Sequence, residues 1–345
     1  MSHQRNSAAA AWSYCRRVLG SVSRTFAMTI PVLPDPLADT VCCAYLLCRI
    51  ADTVEDEQAL DPKTRERLYD LLERVVDEPD DEVALSQFVA AWPDENGDAY
   101  GRLMRGATEV LAAFRTLPEE QQAPVQRCAR EMIAGMRVMT VRQQGDEVAY
   151  VSSSLQELER YCHYVAGTVG QMLTRLFDSH VGPNADFATE ERIEQGRRFG
   201  VGLQLTNILK DVSEDRQSGI SFVPAQWLRR RGRRTELDPK HKRSLVERTL
   251  GHLDIAHRYT LALPVQQEGI RLFCVWALWM AVTTLREICT STEDSPKISR
   301  DEVAEIIAYS QKWVGDDAAL DERYQQYRAQ TARAAAGLTD PPPAG

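Results

Sequence analysis

Two short stretches of this sequence crowd carboxylates into the same arrangement. "DTVED" at 52 to 56 and "DVSED" at 211 to 215 both spell Asp-x-x-Glu-Asp, each after a run with helical periodicity, "VCCAYLLCRI" and "GVGLQLTNILK". Residues three or four apart share a helix face, so Asp52, Glu55 and Asp56 form one acidic stripe and Asp211, Glu214 and Asp215 another. The same spacing extends the first stripe back through Arg49 and Tyr45, and the second through Asn207 and Gln204. Like charges so placed cost an isolated helix about a few tenths of a kcal/mol per pair, and carboxylates at a helix C-terminus also meet the negative end of its dipole. Two stripes that break the same rules imply a cation between them. Hard oxygen ligands suit Mg²⁺, which keeps several waters and is commonly held by one or two carboxylates together with substrate phosphates. The pattern therefore predicts acidic walls that grip a diphosphate through Mg²⁺. A lone acidic cluster is more often a solvated face, and what outweighs that reading here is the repetition, with amides on the second face. Neither cluster has the D-x-D-x-D-G loop of an EF-hand.

The elements that carry these stripes are helices. Asp-Pro pairs at 35–36, 61–62 and 238–239 each place a capping carboxylate before a proline at the first helical position, and Ser154 with Glu157 has capping-box spacing. Periodic segments run at about 36–56, 62–77, 98–116, 119–140, 154–179, 189–217, 239–261, 264–289 and 299–314, and strand signals are nearly absent. The expectation is an all-α, single-domain bundle, since no hydrophilic linker divides the chain: a flexible N-terminus at 1–11, one domain over 12–330 and a disordered tail at 331–345.

Bulk properties narrow the function. A net charge of -9 over 345 residues argues against nucleic acid as a partner, because phosphate affinity rests on Lys and Arg. Eight scattered cysteines without a CxxC pair read as buried and reduced, which suits a cytoplasmic protein. The N-terminus has no apolar signal stretch, and "FCVWALWMAV" at 273 to 282 is too short to span a bilayer and reads as core. One segment opposes the acidic whole: "RRRGRRTELDPKHKR" at 229 to 243 reads either as a solvated loop and helix start or as a peripheral contact with an anionic membrane.

Four segments, "SRTFAMTIPVLP", "YLLCRIADTVEDE", "YCHYVAGTVG" and "LQLTNILKDVSEDRQSGISFVP", together resemble the ordered signature of the squalene and phytoene synthase family, head-to-head prenyl transferases with the all-α isoprenoid synthase fold around a central cavity. "DTVED" and "YCHYVAG" are similar to the squalene synthase branch. The resemblance implies two farnesyl diphosphates as substrates, presqualene diphosphate as intermediate, and Mg²⁺ and NADPH as cofactors. It implies metal ligation by Asp52, Asp56, Asp211 and Asp215, with Glu55 assisting, and a catalytic part for Tyr161 in proton removal, with Tyr164 on its face. Ser23, Arg24 and Phe26 match a segment beside the diphosphates, so they join Tyr45, Arg49, Tyr164, Gln204 and Asn207 as substrate-binding residues. Gly167 and Gly170 would admit a neighbouring helix or the substrate chain.

No Gly-rich dinucleotide fingerprint follows a strand, as in the family, so NADPH would lie against basic side chains: Arg24, Arg49, Lys210, Lys297 and Arg300. Lys210 stands where the branch usually has Arg, and Ser299 where it has a second basic residue. Those departures keep open a phytoene or dehydrosqualene synthase that stops before reduction. From another class, a non-catalytic partner of another isoprenoid enzyme is opposed by the intact carboxylates.

Overall fold

The computed structural model describes residues 2–57, 59–93, 97–139, 142–143, 148–182, 187–231 and 234–338. The fold is all-α, as expected, with five short strands of two to four residues among the described residues. Residues group into two compact units, Met1–Val138 with Gln171–Ala188, and Met139–Gly170 with Thr189–Gly345.

In the first unit the chain forms α1 (Ser2–Val22), α2 (Arg24–Thr29), α3 (Leu37–Asp56), α4 (Pro62–Asp77), α5 (Glu82–Ala91), α6 (Ala99–Arg105), α7 (Ala107–Phe114) and α8 (Glu119–Val138). Helix α3 is its centre: Leu46, Leu47, Ile50 and Val54 are sealed from solvent, and α3 packs against α1, α4, α7 and α8. Each such Leu or Ile stabilises the fold by roughly 1.5–3 kcal/mol. The last turns of α3, which carry Asp52, Glu55 and Asp56, are partly open to solvent. At the start of α4, Asp61 accepts hydrogen bonds from the backbone N–H groups of Lys63 and Thr64, as the Asp-Pro signal predicts. Asp35-Pro36 behaves differently. Its peptide bond is cis, Pro36 stands before the helix instead of inside it, and no side chain caps α3.

In the second unit, α9 (Leu155–Cys162) runs into a single π turn (His163–Gly167) and then α10 (Thr168–Val181), within which the chain passes between the units. There follow α11 (Glu190–Gln217), α12 (Pro239–Leu261), α13 (Glu268–Thr290), α14 (Arg300–Trp313) and α15 (Asp317–Ala336). Helix α11 packs against α9, the π turn, α12 and α13. Helix α13 is long and apolar enough to cross a membrane by composition, but 67% of its most apolar window is buried inside the protein, with Trp279 and Leu278 almost inaccessible. It is a core helix.

Strands β1 (Arg142–Gln143), β2 (Ala149–Tyr150) and β3 (Ile220–Ser221) form one small sheet, β1 and β2 antiparallel and β2 and β3 parallel. The basic segment differs from the loop expected: β4 (Leu228–Arg231) and β5 (Arg234–Leu237) pair as an antiparallel ribbon. Trp227 stacks on His241 of α12 at 5.5 Å, and Arg229 pairs with Glu236 at 3.4 Å and Asp238 at 3.7 Å. Asp238 caps α12 as predicted. Helix α1 starts at Ser2, inside the stretch read as a loose N-terminus, and α15 runs to Ala336, past residue 331; the tail from 339 onward lies outside the described residues. All eight cysteines are without disulfides, seven of them buried and Cys289 partly so.

Candidate active site

The first acidic stripe is built on the C-terminal turns of α3. Because Leu46, Leu47, Ile50, Ala51 and Val54 take the core-facing positions, Tyr45, Arg49, Asp52 and Asp56 are left along the partly open face. The Arg49 guanidinium lies 3.5 Å from Asp52 and 3.6 Å from Asp56. Although Asp52 keeps 29% of its side chain exposed, its carboxyl loses enough water to be pushed up to about 7, with Arg49 pulling the other way and Asp56 adding to the rise. Asp56 is raised by the same burial, less effectively because 60% of its side chain is exposed. Glu55 is half-buried on the same turns, and its charge, with those of Asp52 and Asp56, adds to the effect of burial in raising the Tyr69 phenol of α4, while Arg49 pairs with the two aspartates.

The "SRTF" segment arrives beside this face. Ser23 caps α2 through the Phe26 N–H and hydrogen-bonds with Tyr45, and the rings of Phe26 and Tyr45 lie 4.6 Å apart. Ser23, Phe26, Tyr45, Arg49, Asp52 and Asp56 are thus brought together, while Arg24, first residue of α2, is exposed. A cavity of about 170 Å³ adjoins them, lined by Arg49, Thr53, Asp56, Glu57, Trp92, Asp98, Tyr100 and Gly101. Sequence reading missed Trp92 and Tyr100, which come from distant segments with no motif of their own.

The second stripe lies on the last turns of α11. Asp211 accepts a hydrogen bond from Ser295 Oγ at 3.0 Å and pairs with Lys210 Nζ at 3.1 Å. Ser295 was also missed; the only sequence signal near it is "PKISR". Its bond brings the segment of Lys297 to the second motif, and Lys297 and Arg300 are exposed there. Ser299, between them, is the N-cap of α14 and accepts from the Glu302 N–H. Gln204 is half-buried and Asn207 exposed on the turns before Asp211, and Asp215 is half-buried one turn after it.

Tyr161, near the end of α9, is buried, its ring 5.0 Å from that of Phe222. The face expected to join it to Tyr164 is altered, because the π turn intervenes; Tyr164 is half-buried, with its ring 5.4 Å from that of His163. The turn is held against α11 by close backbone contact: a Cβ at Gly200 would stand 2.0 Å from the Ala166 carbonyl oxygen, and one at Gly170 1.9 Å from that of Gly196. Of the two readings of Gly170, the neighbouring helix is what the structure shows. Glu159 completes the support, accepting from Arg248 at 2.5 Å and bonded to His252 at 3.2 Å, and these partners, His252 first, pull its carboxyl down to about 2.

The chemistry of these groups fits Mg²⁺. Asp52 is a desolvated carboxylate with no cation closer than 3.5 Å, and the donors are hard oxygens. Among the described residues no three or more His, Cys, Asp or Glu converge on one point as a metal site. For NADPH the fit is partial. Lys210 and Arg49 are engaged with carboxylates, and Lys297 and Arg300 are the exposed cations beside the second motif.

Known proteins are similar to this chain in sequence and in fold. Human squalene synthase is 28% identical over 280 residues, 79% of this chain and 62% of the human protein, so the chain spans less than two thirds of that relative. The solved structure of TcSQS with the ligand BPH1237 superposes with a TM-score of 0.72 at 22% identity, covering 96% of this chain and all of the other. A dehydrosqualene synthase in complex with ligand gives a TM-score of 0.54 at 18% identity, covering 90% and 99%. Both likenesses establish the isoprenoid synthase fold. The profile described as squalene/phytoene synthase matches residues 19–302, most of the chain, and with it the chain belongs to the squalene/phytoene synthase family of prenyl transferases.

Proposed function

We propose that this chain is a squalene synthase: it condenses two farnesyl diphosphates head to head into presqualene diphosphate and reduces that intermediate with NADPH to squalene. The observation that carries the reading is the assembly of Ser23, Phe26, Tyr45, Arg49, Asp52 and Asp56 on one face, a carboxylate pair beside a cation and an aromatic wall. The similarity to human squalene synthase supports the choice of substrate.

Asp52 and Asp56 on α3, and Asp211 and Asp215 on α11, would hold Mg²⁺, which when bound neutralises charge on the departing diphosphate. Arg49 carries a guanidinium suited to phosphate oxygens, and Ser23 fixes the Tyr45 hydroxyl at the edge of the same face. Gln204 and Asn207 offer amides to the diphosphate or its waters. Phe26 and Tyr45 supply an apolar, π-rich wall for the prenyl chain and its allylic cation. Tyr161, shielded by Phe222, takes part through its Oη in removing the proton as the cyclopropane closes, where bulk water would otherwise quench the cation. Lys297 and Arg300, with Lys210 and Arg24, would hold the phosphates of NADPH, which supplies hydride when bound. The basic ribbon and helix start at 229–243 would let a cytoplasmic enzyme deliver its oily product to an anionic membrane surface.

Lys210 is paired with Asp211 and Ser299 is used as a helix cap, and these two observations favour dehydrosqualene synthase as the second reading. Product analysis from farnesyl diphosphate and Mg²⁺ separates the two. Squalene that appears only when NADPH is added is the expected result. Dehydrosqualene whether or not NADPH is present would overturn the assignment.

A further inference from the structure

Arg49 is held in an unusual way for an arginine beside two carboxylates. Its guanidinium carbon lies 4.6 Å from the centre of the Tyr100 ring, Nε is buried with no hydrogen-bond partner, and both aspartates stand at 3.5 Å or more. A guanidinium free to choose would form a two-pronged, short hydrogen bond with one carboxylate, the strongest pairing open to it. The ring face on α6 attracts the same cation and sets it back from the pair.

We infer that Tyr100 is a positioning residue that keeps Arg49 from closing onto Asp52 and Asp56, so that their oxygens stay available to a divalent cation. This deepens the proposed function and rests on it. The physical logic is competition. A fork-shaped bond from Arg49 would occupy the same lone pairs that Mg²⁺ needs, whereas a cation held about 0.7 Å further off still offsets part of the repulsion between the two aspartates. Tyr100 is 37% exposed and lines the small cavity with Trp92 and Gly101, and it bonds to neither carboxylate, so its influence on the pair passes through Arg49. The hydroxyl has no part in this; the ring does.

The test reads Mn²⁺ binding by electron paramagnetic resonance, with inorganic pyrophosphate as the second ligand, in wild type, Tyr100→Leu, Tyr100→Phe and Arg49→Gln, and in the Tyr100→Leu/Arg49→Gln double variant. Tyr100→Leu is expected to bind Mn²⁺ roughly fivefold more weakly, the scale of a half-desolvated cation–π contact. Tyr100→Phe should match wild type, and in the Arg49→Gln background the Tyr100→Leu change should have no further effect, since the residue acts through the arginine. Unchanged binding in Tyr100→Leu, an equal loss in Tyr100→Phe, or an equal loss in the Arg49→Gln background would each overturn this inference while leaving the metal reading intact. A wild type that binds no Mn²⁺ would overturn both.

Discussion

Asp52 sits where two demands on one side chain conflict. Ligand-free folding prefers it neutral, because burial drives its carboxyl up to about 7, and the proposed cation binding prefers it ionised. The sign of the consequence is definite. A carboxyl that holds its proton more tightly in the native state than at the ordinary value of 3.8 lowers stability as pH rises from about 4 to about 7. Melting curves of the ligand-free protein over that interval should therefore show a falling contribution that Asp52→Asn removes, leaving a flatter profile and a variant at least as stable as wild type at pH 7. An unaltered profile in Asp52→Asn would mean that the carboxyl is not desolvated. At this scale the sequence was informative wherever partners are close along the chain: Arg49, Asp52 and Asp56 are three and four residues apart on one face, and so were legible. Tyr100, Trp92 and Ser295 were not, since each reaches its partner from a separate segment, and nothing in its own neighbours marks the contact.

Elements tell a similar story about local and non-local causes. Asp61 and Asp238 cap their helices as the sequence indicates, because the bond runs from a side chain to N–H groups two or three residues on. The same dipeptide at 35–36 does not, because Pro36 stands before α3 and leaves its first turn without a side-chain cap. Helices α1, α2, α5 and α15 went unread: α2 and α5 are short, and α1 and α15 are rich in Ala and polar residues, so the apolar stripe is weak. Burial of Leu320, Tyr324 and Tyr327 against the rest of the second unit is what makes α15 a helix with a place to go. The π turn that begins after Tyr161 and contains Tyr164 was equally hidden, for the extra residue in that turn has no compositional sign. Contact of that turn with α11 leads to a prediction at this scale. Gly200→Ala places a methyl 2.0 Å from a backbone oxygen, so the helices must separate, and chemical denaturation should show a loss of about 3 kcal/mol. A loss no larger than that of an exposed glycine replacement would show that the two helices are not in such contact.

For the molecule as a whole, helical content and family were legible from signature segments spread over most of the chain, and the comparisons establish both. The division into two compact units was not. One of the three crossings between the units falls within a continuous helix, α10, where no Pro- or Gly-rich linker marks it. Net charge of -9 belongs to this scale too, since an acidic molecule attracts an anionic diphosphate only where cations reverse the local field. Each unit carries one carboxylate pair, and the proposed reaction calls on both. Groups that act as a unit are non-additive when removed. Pyrophosphate release from farnesyl diphosphate and Mg²⁺, measured for wild type, Asp52→Asn, Asp211→Asn and the double variant, tests this most directly. Each single change should slow release by roughly a hundredfold or more with the helical fold retained, and the double variant should be little worse than either. Wild-type release by Asp52→Asn or by Asp211→Asn would contradict the account.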